Sequence, residues 1–442
     1  MKKILFYYDS RMRYGLQKNT ILQLSLLNEY KIIIIVAINS DEDYLFYSNE
    51  KKYFENVKIL FTKNFFVNQI NKFLSRYYNQ FDNEKNKIST IGFLITFALE
   101  YLILLIDKIK ASYYFRKNTP NIMVIPLDRE VGFTSQLIIL CRRKHIKIIL
   151  LQVHFLNINF TLVNRSKSLM NISPLKDFIK LKQKYGIDNF YVHEDKVYHY
   201  LKLPKLIAAK YLNLQLFNPW QWGSNSDVLL VDSELTRDTL KLHKSLNDNI
   251  VVTGNDFMDR LYQNSITTDN SRLSGDKKQL LISMPHLSEH KFCNVEEHML
   301  DIKKLFNQIE DLNLKITLSF HPRADKKIKN FAISILPKNC FITDEKINDI
   351  LGKYDLFMGW WSGTIFWSFF LNKKTILLNY YGISNLGCEL IENKICMVNK
   401  SDLIRDSIIK CMLSNNENNQ KNYFLPKSSI NYIHQEINKN IR

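Results

Sequence analysis

Short unbroken apolar runs alternate along this chain with segments whose apolar residues recur every three or four positions. A strand covered on both faces shows a continuous apolar run, and helical spacing between such runs supplies the cover. The pattern therefore predicts parallel sheets with helices on both faces. In the first half the strand candidates are 4–8, 32–38, 57–61, 122–127, 146–151 and 228–231, with helices at 16–29 and 134–145. Residues 64–118 carry no strand signal and read as a helical insertion. After Asp248 the pattern restarts, with strands at 279–283, 315–320, 340–343, 355–358 and 375–380 and helices at 297–311, 346–353 and 363–371. Within 297–311, Met299, Ile302, Leu305, Phe306 and Ile309 lie three or four apart, as one helix face requires. A polar loop at 413–421 precedes a last amphipathic helix at 428–440. The expected fold is α/β with two Rossmann-like domains, 1–248 and 249–412, facing across a ligand cleft, and a tail at 413–442.

A length of 442 residues suits two or three domains, and 46% hydrophobic with 13% aromatic residues excludes wholesale disorder. Lys and Arg number 61 against 43 Asp and Glu, a net +18 that favours anionic partners such as lipid headgroups, phosphosugars or nucleic acid. No nucleic-acid-binding module is recognisable, so nucleic acid is not the expected partner. The six cysteines, Cys141, Cys293, Cys340, Cys388, Cys396 and Cys411, form no Cys-x-x-Cys pair. Neither a zinc site nor a disulfide framework is indicated, and a reducing cytoplasm fits. The start, MKKILFYYDS, has an apolar run of only five residues before Asp9 and reads as a first buried strand, not a signal peptide.

Residues 91–106 (IGFLITFALEYLILLI) form a 16-residue apolar run that holds Glu100 and is flanked by Lys85, Lys87, Lys108, Lys110, Arg116 and Lys117. A spanning helix needs about 20 residues, so this run is short and carries an acid at its middle. It reads either as a helix packed inside a domain or as a monotopic surface helix whose basic flanks meet anionic lipid. The expected location is the cytoplasm, or the inner face of the cytoplasmic membrane.

Several polar motifs sit where strand candidates end. His321-Pro322 directly follows the run 315–320, and the proline forces an extended elbow that presents the imidazole. Arg323 adds a cation for a phosphate; the plainer alternative is a loop histidine with a turn proline. Trp361-Ser362-Gly363-Thr364 lies between a strand and a helix start, where free N–H groups and the Ser and Thr hydroxyls suit a phosphate and Gly363 lets it approach. An ordinary serine N-cap would look the same. Met284-Pro285-His286-Leu287-Ser288-Glu289-His290 follows another strand, and His286 and Glu289 are candidates for a nucleotide phosphate or sugar hydroxyl. Their spacing is not that of a helical His-Glu-x-x-His metal site, and no Asp-x-Asp occurs in these segments, so no metal is expected. In the first half, Asp128-Arg129-Glu130-Val131-Gly132 ends the run 122–127. Glu130, then Asp128, then Asp9 at the end of the first strand are candidates for a base that takes a proton from an acceptor hydroxyl. Asp128 could instead cap the helix near Thr134.

Residues 218–261 read Asn218-Pro219, Gly223, VLLVDSELTRDTLKL and NIVVTGNDFMDRL. This resembles the domain junction of the glycosyltransferase-B superfamily, shared with the non-hydrolysing UDP-N-acetylglucosamine 2-epimerases. The matching features are the strand 228–231, Ser233-Glu234, the helix 235–243, Thr253-Gly254-Asn255 and Asp259. The resemblance implies donor contacts at Gly254 and Asn255. The loop His286-x-x-Glu289 is similar to the epimerase His-Arg-Arg-Glu-Asn loop, with Leu287 and Ser288 in place of the arginines and His290 in place of the asparagine. The epimerase Asp-Ser-Gly-Gly-x-x-Glu-Glu motif corresponds to 361–368, where Trp367 and Ser368 replace the ribose-binding glutamates. His-Pro after one strand and a Ser-bearing helix start after a later one resemble the bacterial sialyltransferases, polysialyltransferases and capsule Kdo transferases. In those enzymes the two motifs hold a cytidylate phosphate; CDP-glycerol polymerases show a related pair. The resemblance implies a metal-independent transferase that uses a nucleotide-sugar, with a CMP-linked acidic sugar favoured, needs no cofactor, and acts on a bacterial surface glycan or glycolipid. An epimerase-like sugar-nucleotide enzyme and a CDP-glycerol-type polymerase are the alternatives.

Overall fold

The computed structural model describes residues 1–38, 40–54, 56–63, 65–84, 90–152, 171–172, 190–193, 196–199, 201–214, 223–242, 248–269, 277–284, 287–289, 292–321, 324–360, 362–381, 395–413 and 428–441. The expected contributions of Lys85, Lys87, Asn218-Pro219, His286, His290, Pro322, Arg323 and Trp361, and most of the polar loop at 413–421, lie outside the described residues.

The chain runs β1 (Lys2–Tyr8), α1 (Arg11–Leu26), β2 (Tyr30–Ile38), α2 (Asp41–Glu50), β3 (Val57–Lys63), α3 (Phe65–Glu84), α4 (Thr90–Lys117), β4 (Ile122–Ile125), α5 (Phe133–Arg143) and β5 (Lys147–Leu151). Short strands β6 (Asn171–Ile172), β7 (Phe190–His193) and β8 (Lys196–His199) pair antiparallel, an arrangement that no period in the sequence announces. Then come α6 (Leu203–Tyr211), β9 (Val228–Val231), α7 (Glu234–Leu242), β10 (Ile250–Val252) and α8 (Asp256–Asp269). The second half holds β11 (Gln279–Met284), α9 (Val295–Ile309), β12 (Lys315–Phe320), α10 (Lys326–Ser334), β13 (Cys340–Thr343), α11 (Ile347–Ile350), β14 (Leu356–Gly359), α12 (Gly363–Phe370), β15 (Lys374–Asn379), β16 (Cys396–Asn399), α13 (Ile404–Leu413) and α14 (Ser429–Asn440).

Two parallel sheets result, as the apolar runs predict. The first has seven strands in the order β10-β9-β5-β4-β1-β2-β3, the second six in the order β13-β12-β11-β14-β15-β16. Each starts at its centre and reverses direction once, the doubly wound Rossmann order. Burial explains why alternation is missing from the strands. Ile4, Phe6 and Tyr8 of β1 pack into one core with Tyr14, Ile21 and Leu24 of α1, while Leu5 and Tyr7 pack into another with Phe115 of α4 and Leu137 of α5.

Two compact units follow, one of Met1–Asp232, Thr236–Asp256 and Ser428–Arg442, the other of Ser233–Leu235 and Phe257–Lys427. This differs in two places from a division at 248/249 with a separate tail at 413–442. The strand β10 pairs in register with β9, Val251 against Leu230, and so belongs to the first sheet. The helix α14 returns to the first unit, where Ile433 and Ile437 join the core beside α1 and Tyr30 Oη donates to Asn438 Oδ1 at 2.7 Å.

The insertion after β3 is helical, as expected, and α4 is its main element. Its inner face carries polar groups. Glu100 is buried, and that burial raises its pKa against the pull of Lys205 and Lys202. The Asp107 carboxylate accepts from the Phe133 N–H and is pushed up to about 6, chiefly by burial. It lies so close to Gly132 that a Cβ there would sit 2.7 Å from Oδ2, and Gly132 has φ 130°, so only glycine fits this junction of α4 and α5.

Candidate functional site

Open parallel sheets take ligands outside the carboxyl ends of their strands, at the point where strand order reverses. That point lies between β1 and β4 in the first sheet and between β11 and β14 in the second. The polar motifs fall at both places.

In the first unit Asp9 follows β1, and Ser10 caps α1, its Oγ accepting from the Arg13 N–H at 3.4 Å. This cap starts the helix so that Arg13, four residues after Asp9, stands over the end of the sheet. Arg13 Nη1 donates to Asp9 Oδ2 at 2.5 Å and to Glu130 Oε1 at 2.6 Å. Two carboxylates from the two central strands thus share one guanidinium. Glu130 is pushed up to about 7, first by burial and next by the charge of Asp9, with Arg13 pulling the other way. A third of its side chain still reaches solvent. A carboxylate near neutrality with an open edge has the properties of a general base.

Asp128 stands elsewhere. It is fully buried, and its Oδ2 accepts from the Asn225 N–H at 2.9 Å. Burial pushes it up to about 6. Its carboxylate ties the end of β4 to the chain entering β9, and this placement favours Glu130 over Asp128 as the group that meets a substrate. It does not cap α5, whose first turn is held by Ser135 Oγ, which accepts from the Gly132 N–H at 2.9 Å. Gly254, at the end of β10, has φ 71°, the left-handed value that a tight turn between β10 and α8 demands, and Asn255 follows it.

In the second unit His321 comes directly after β12, half-buried, and its carbonyl accepts from the Ala324 N–H at 2.8 Å, turning the chain toward α10. Ser362 occupies the cap position of α12, but its hydroxyl bonds no helix N–H. It pairs instead with Thr364, Oγ to Oγ1 at 2.5 Å. The first-turn amides therefore receive no bond from the capping side chain. A Cβ on Gly363 would meet nothing nearer than the Trp367 ring at 4.0 Å, so the backbone is open to approach here. Uncapped amides, two hydroxyls and open backbone suit an anion.

Glu289 has a task that the sequence did not show. Its Oε1 accepts from the Asp325 N–H at 2.7 Å and its Oε2 from Ser288 Oγ at 3.0 Å. Asp325 in turn caps α10 by accepting from the Lys327 N–H at 2.7 Å. Glu289 thus holds the loop after β11 against the loop that carries His321. The same Ser288 Oγ lies 3.0 Å from Nδ1 of the buried His298. Across the sheet, the Tyr381 hydroxyl donates to Asp301, which Lys400 also bridges at 3.1 Å, so the ends of β15 and β16 are tied to the middle of α9. Sequence reasoning missed Arg13, although its i, i+4 spacing from Asp9 on a capped helix was the available signal. It also missed the pairing of Ser288 with His298, ten residues on, and that of Asp301 with Tyr381 and Lys400, 80 and 99 residues on.

No protein-family model matches the chain, and no curated protein matches it by sequence. Solved structures do match it along its whole length. A kitacinnamycin glycotransferase superposes with TM-score 0.54 at 9% identity, covering 99% of this chain and 95% of that one. The UDP-GlcNAc 2-epimerase of Methanocaldococcus jannaschii gives 0.52 at 12% identity, covering 99% and 100%. The Neisseria meningitidis UDP-GlcNAc 2-epimerase, solved bound to UDP-GlcNAc, gives 0.52 at 10%, also covering 99% and 100%. The fold is of the glycosyltransferase-B type. Identities this low establish the fold alone. Within that fold, the positions expected for the epimerase glutamates are occupied differently. The Trp367 ring packs 4.6 Å from the ring of Phe257, and the buried Ser368 donates to the Ile365 carbonyl at 2.9 Å.

Proposed function

We propose that this protein is a metal-independent glycosyltransferase that moves a sugar from a nucleotide-activated donor, with a CMP-linked acidic sugar favoured, to a bacterial surface glycan or glycolipid. The observation that carries the reading is the pair of carboxylates, Glu130 and Asp9, held by Arg13 at the reversal point of the first sheet. Glu130 takes the proton of the acceptor hydroxyl as that oxygen attacks the anomeric carbon. Asp9 raises the proton affinity of Glu130, and Arg13 fixes its orientation. In the second unit, His321, Ser362, Thr364 and the first amides of α12 take up the charge that grows on the leaving phosphate. Pro322, Arg323 and His286 belong to this donor site in the same reading. Glu289 positions the loops around it.

The names of the fold neighbours also raise a sugar-nucleotide epimerase, and the identity and packing of Trp367 and Ser368 speak against it, because neither of these two residues is a carboxylate that could hold a ribose. The acceptor would be met at an anionic membrane surface. The test is a thermal-shift screen with CMP, CDP, UDP and GDP, followed by incubation of the stabilising nucleotide's sugar conjugate with and without acceptor. Preferential stabilisation by CMP, with acceptor-dependent nucleotide release, is expected. Conversion of free UDP-N-acetylglucosamine without an acceptor would overturn the transferase reading.

A further inference from the structure

The helix α4 is apolar on both sides. Its inward face buries Ile103, Leu104, Ala111 and Phe115 beside Thr96, Glu100 and Asp107, while Ile91, Leu94, Ile95, Leu102, Ile109 and Tyr113 are exposed, Ile91 by 72%, Ile109 by 61% and Tyr113 by 58%. At about 100° per residue the exposed positions fall on one face about 100° wide, and at about 1.5 Å per residue they run for about 33 Å. Neither acidic residue of the helix lies on that face, because Glu100 and Asp107 both point inward. At its carboxyl end the stripe meets a groove of about 520 Å³ lined by Phe61, Thr62, Ile109, Lys110, Tyr113 and Tyr114. A contiguous apolar strip of this length is unusual on a surface that faces only water.

The charges beside it say what covers it. Arg116 and Lys117 are exposed where the stripe ends, with Lys117 Nζ 5.8 Å from the Tyr113 ring centre. Lys108 and Lys110 flank the stripe on its two sides, half-buried, and Lys108 Nζ caps α6 through the Leu212 carbonyl at 2.8 Å. Tyr211, exposed by 67%, meets Phe97 of α4 edge-on, which puts a phenol beside the stripe. Apolar surface bordered by cations and tyrosines matches the acyl boundary and headgroups of an anionic bilayer. No helix among the described residues is long and apolar enough to cross a membrane.

We propose that this outward face of α4 docks the protein on an anionic lipid bilayer, with Ile91, Leu94, Ile95, Leu102, Ile109 and Tyr113 entering the acyl boundary. The proposal rests on the membrane-surface part of the reading above and is independent of the transferase part. The full chain is sedimented with vesicles of phosphatidylcholine alone and with about 30% phosphatidylglycerol, and binding only to the second is expected. The triple variant Leu94→Gln, Ile95→Gln, Leu102→Gln should lower partitioning at least about tenfold, since each exposed side chain loses its apolar transfer term. Arg116→Gln with Lys117→Gln should lower it about fivefold per charge. In a separate Ile95→Trp protein, quenching of the added tryptophan by brominated lipid should report insertion. Nucleotide-induced thermal shifts should be unchanged in all of these variants, which separates this outcome from failure of the transferase reading. Absent binding, binding indifferent to lipid charge, or a triple variant that binds as wild type would overturn the proposal. So would a dimer that the triple variant dissolves without any vesicle binding, because the stripe would then be an interface between copies.

Discussion

Replacing Arg13 by methionine keeps most of the apolar stem and deletes the guanidinium between Asp9 and Glu130. Charge-assisted bonds such as those at 2.5 and 2.6 Å are worth about 1.5–3 kcal/mol each. The three side chains are 20–33% exposed, so solvent screening reduces the share felt by Glu130 to about 1–2 kcal/mol. One pKa unit corresponds to about 1.4 kcal/mol, so Glu130 should titrate about one unit higher in Arg13→Met. A base works as the carboxylate, and its activity is lost as pH falls through its pKa. Starting from about 7, a one-unit rise cuts the ionised fraction at pH 7 from about half to about a tenth. The expected result is a kcat/KM about fivefold lower at pH 7, recovering toward wild type by about pH 9. The assay is nucleotide release across pH with the donor found by the thermal-shift screen. Glu130→Gln serves as the comparator and should lose about 10²-fold or more at every pH while binding nucleotide normally. An acid limb that stays in place in Arg13→Met, or a uniform loss at all pH values, would refute this account of the site.

Two further outcomes test other parts of the molecule. His321→Ala should lower the transfer rate by about 10²–10³ with a smaller effect on donor binding, Ser362→Ala should act in the same direction but less, and EDTA should change neither rate; steady-state kinetics checks all three. Asp107 holds its proton more tightly folded than unfolded, so its contribution to stability is complete below about pH 4 and is lost as pH rises toward 6. Asp107→Asn should flatten the pH dependence of the unfolding free energy over that window by on the order of 3 kcal/mol, and an unchanged slope would place the titration in another group.

The strands were legible because every one of the long ones is covered on both faces. The run 228–231 is β9 to the residue, and 315–320 is β12 to the residue. The helix starting at Gly363 was legible from Ser362 before it. Its chemistry was not, because one sequence cannot distinguish a serine that caps its helix from one that turns to Thr364. The carboxylates at 128 and 130 looked interchangeable two residues apart in one loop. Their difference arises from Asn225 and Arg13, which meet them from 97 and 117 residues away. Glu289 read as a ligand group because it is acidic and ends a strand. Its partner, the Asp325 amide, lies 36 residues further on.

The sequence by itself determined the two-sheet α/β architecture, the helical insertion and the places where polar residues leave the strands, since hydrophobic period and strand ends are local properties of the chain. Only the tertiary structure decided which side each of those residues faces and what it meets. Burial set Asp128 and Glu130 apart, the register of β9 drew β10 into the first sheet, and two isoleucines brought α14 back to it. The orientation of α4 was settled in the same way. Its sequence is apolar almost all round and specifies no facing direction; in the structure Ile103, Leu104, Ala111 and Phe115 pack inward with Glu100 and Asp107, and Ile91, Leu94, Ile95, Leu102 and Ile109 are left outside.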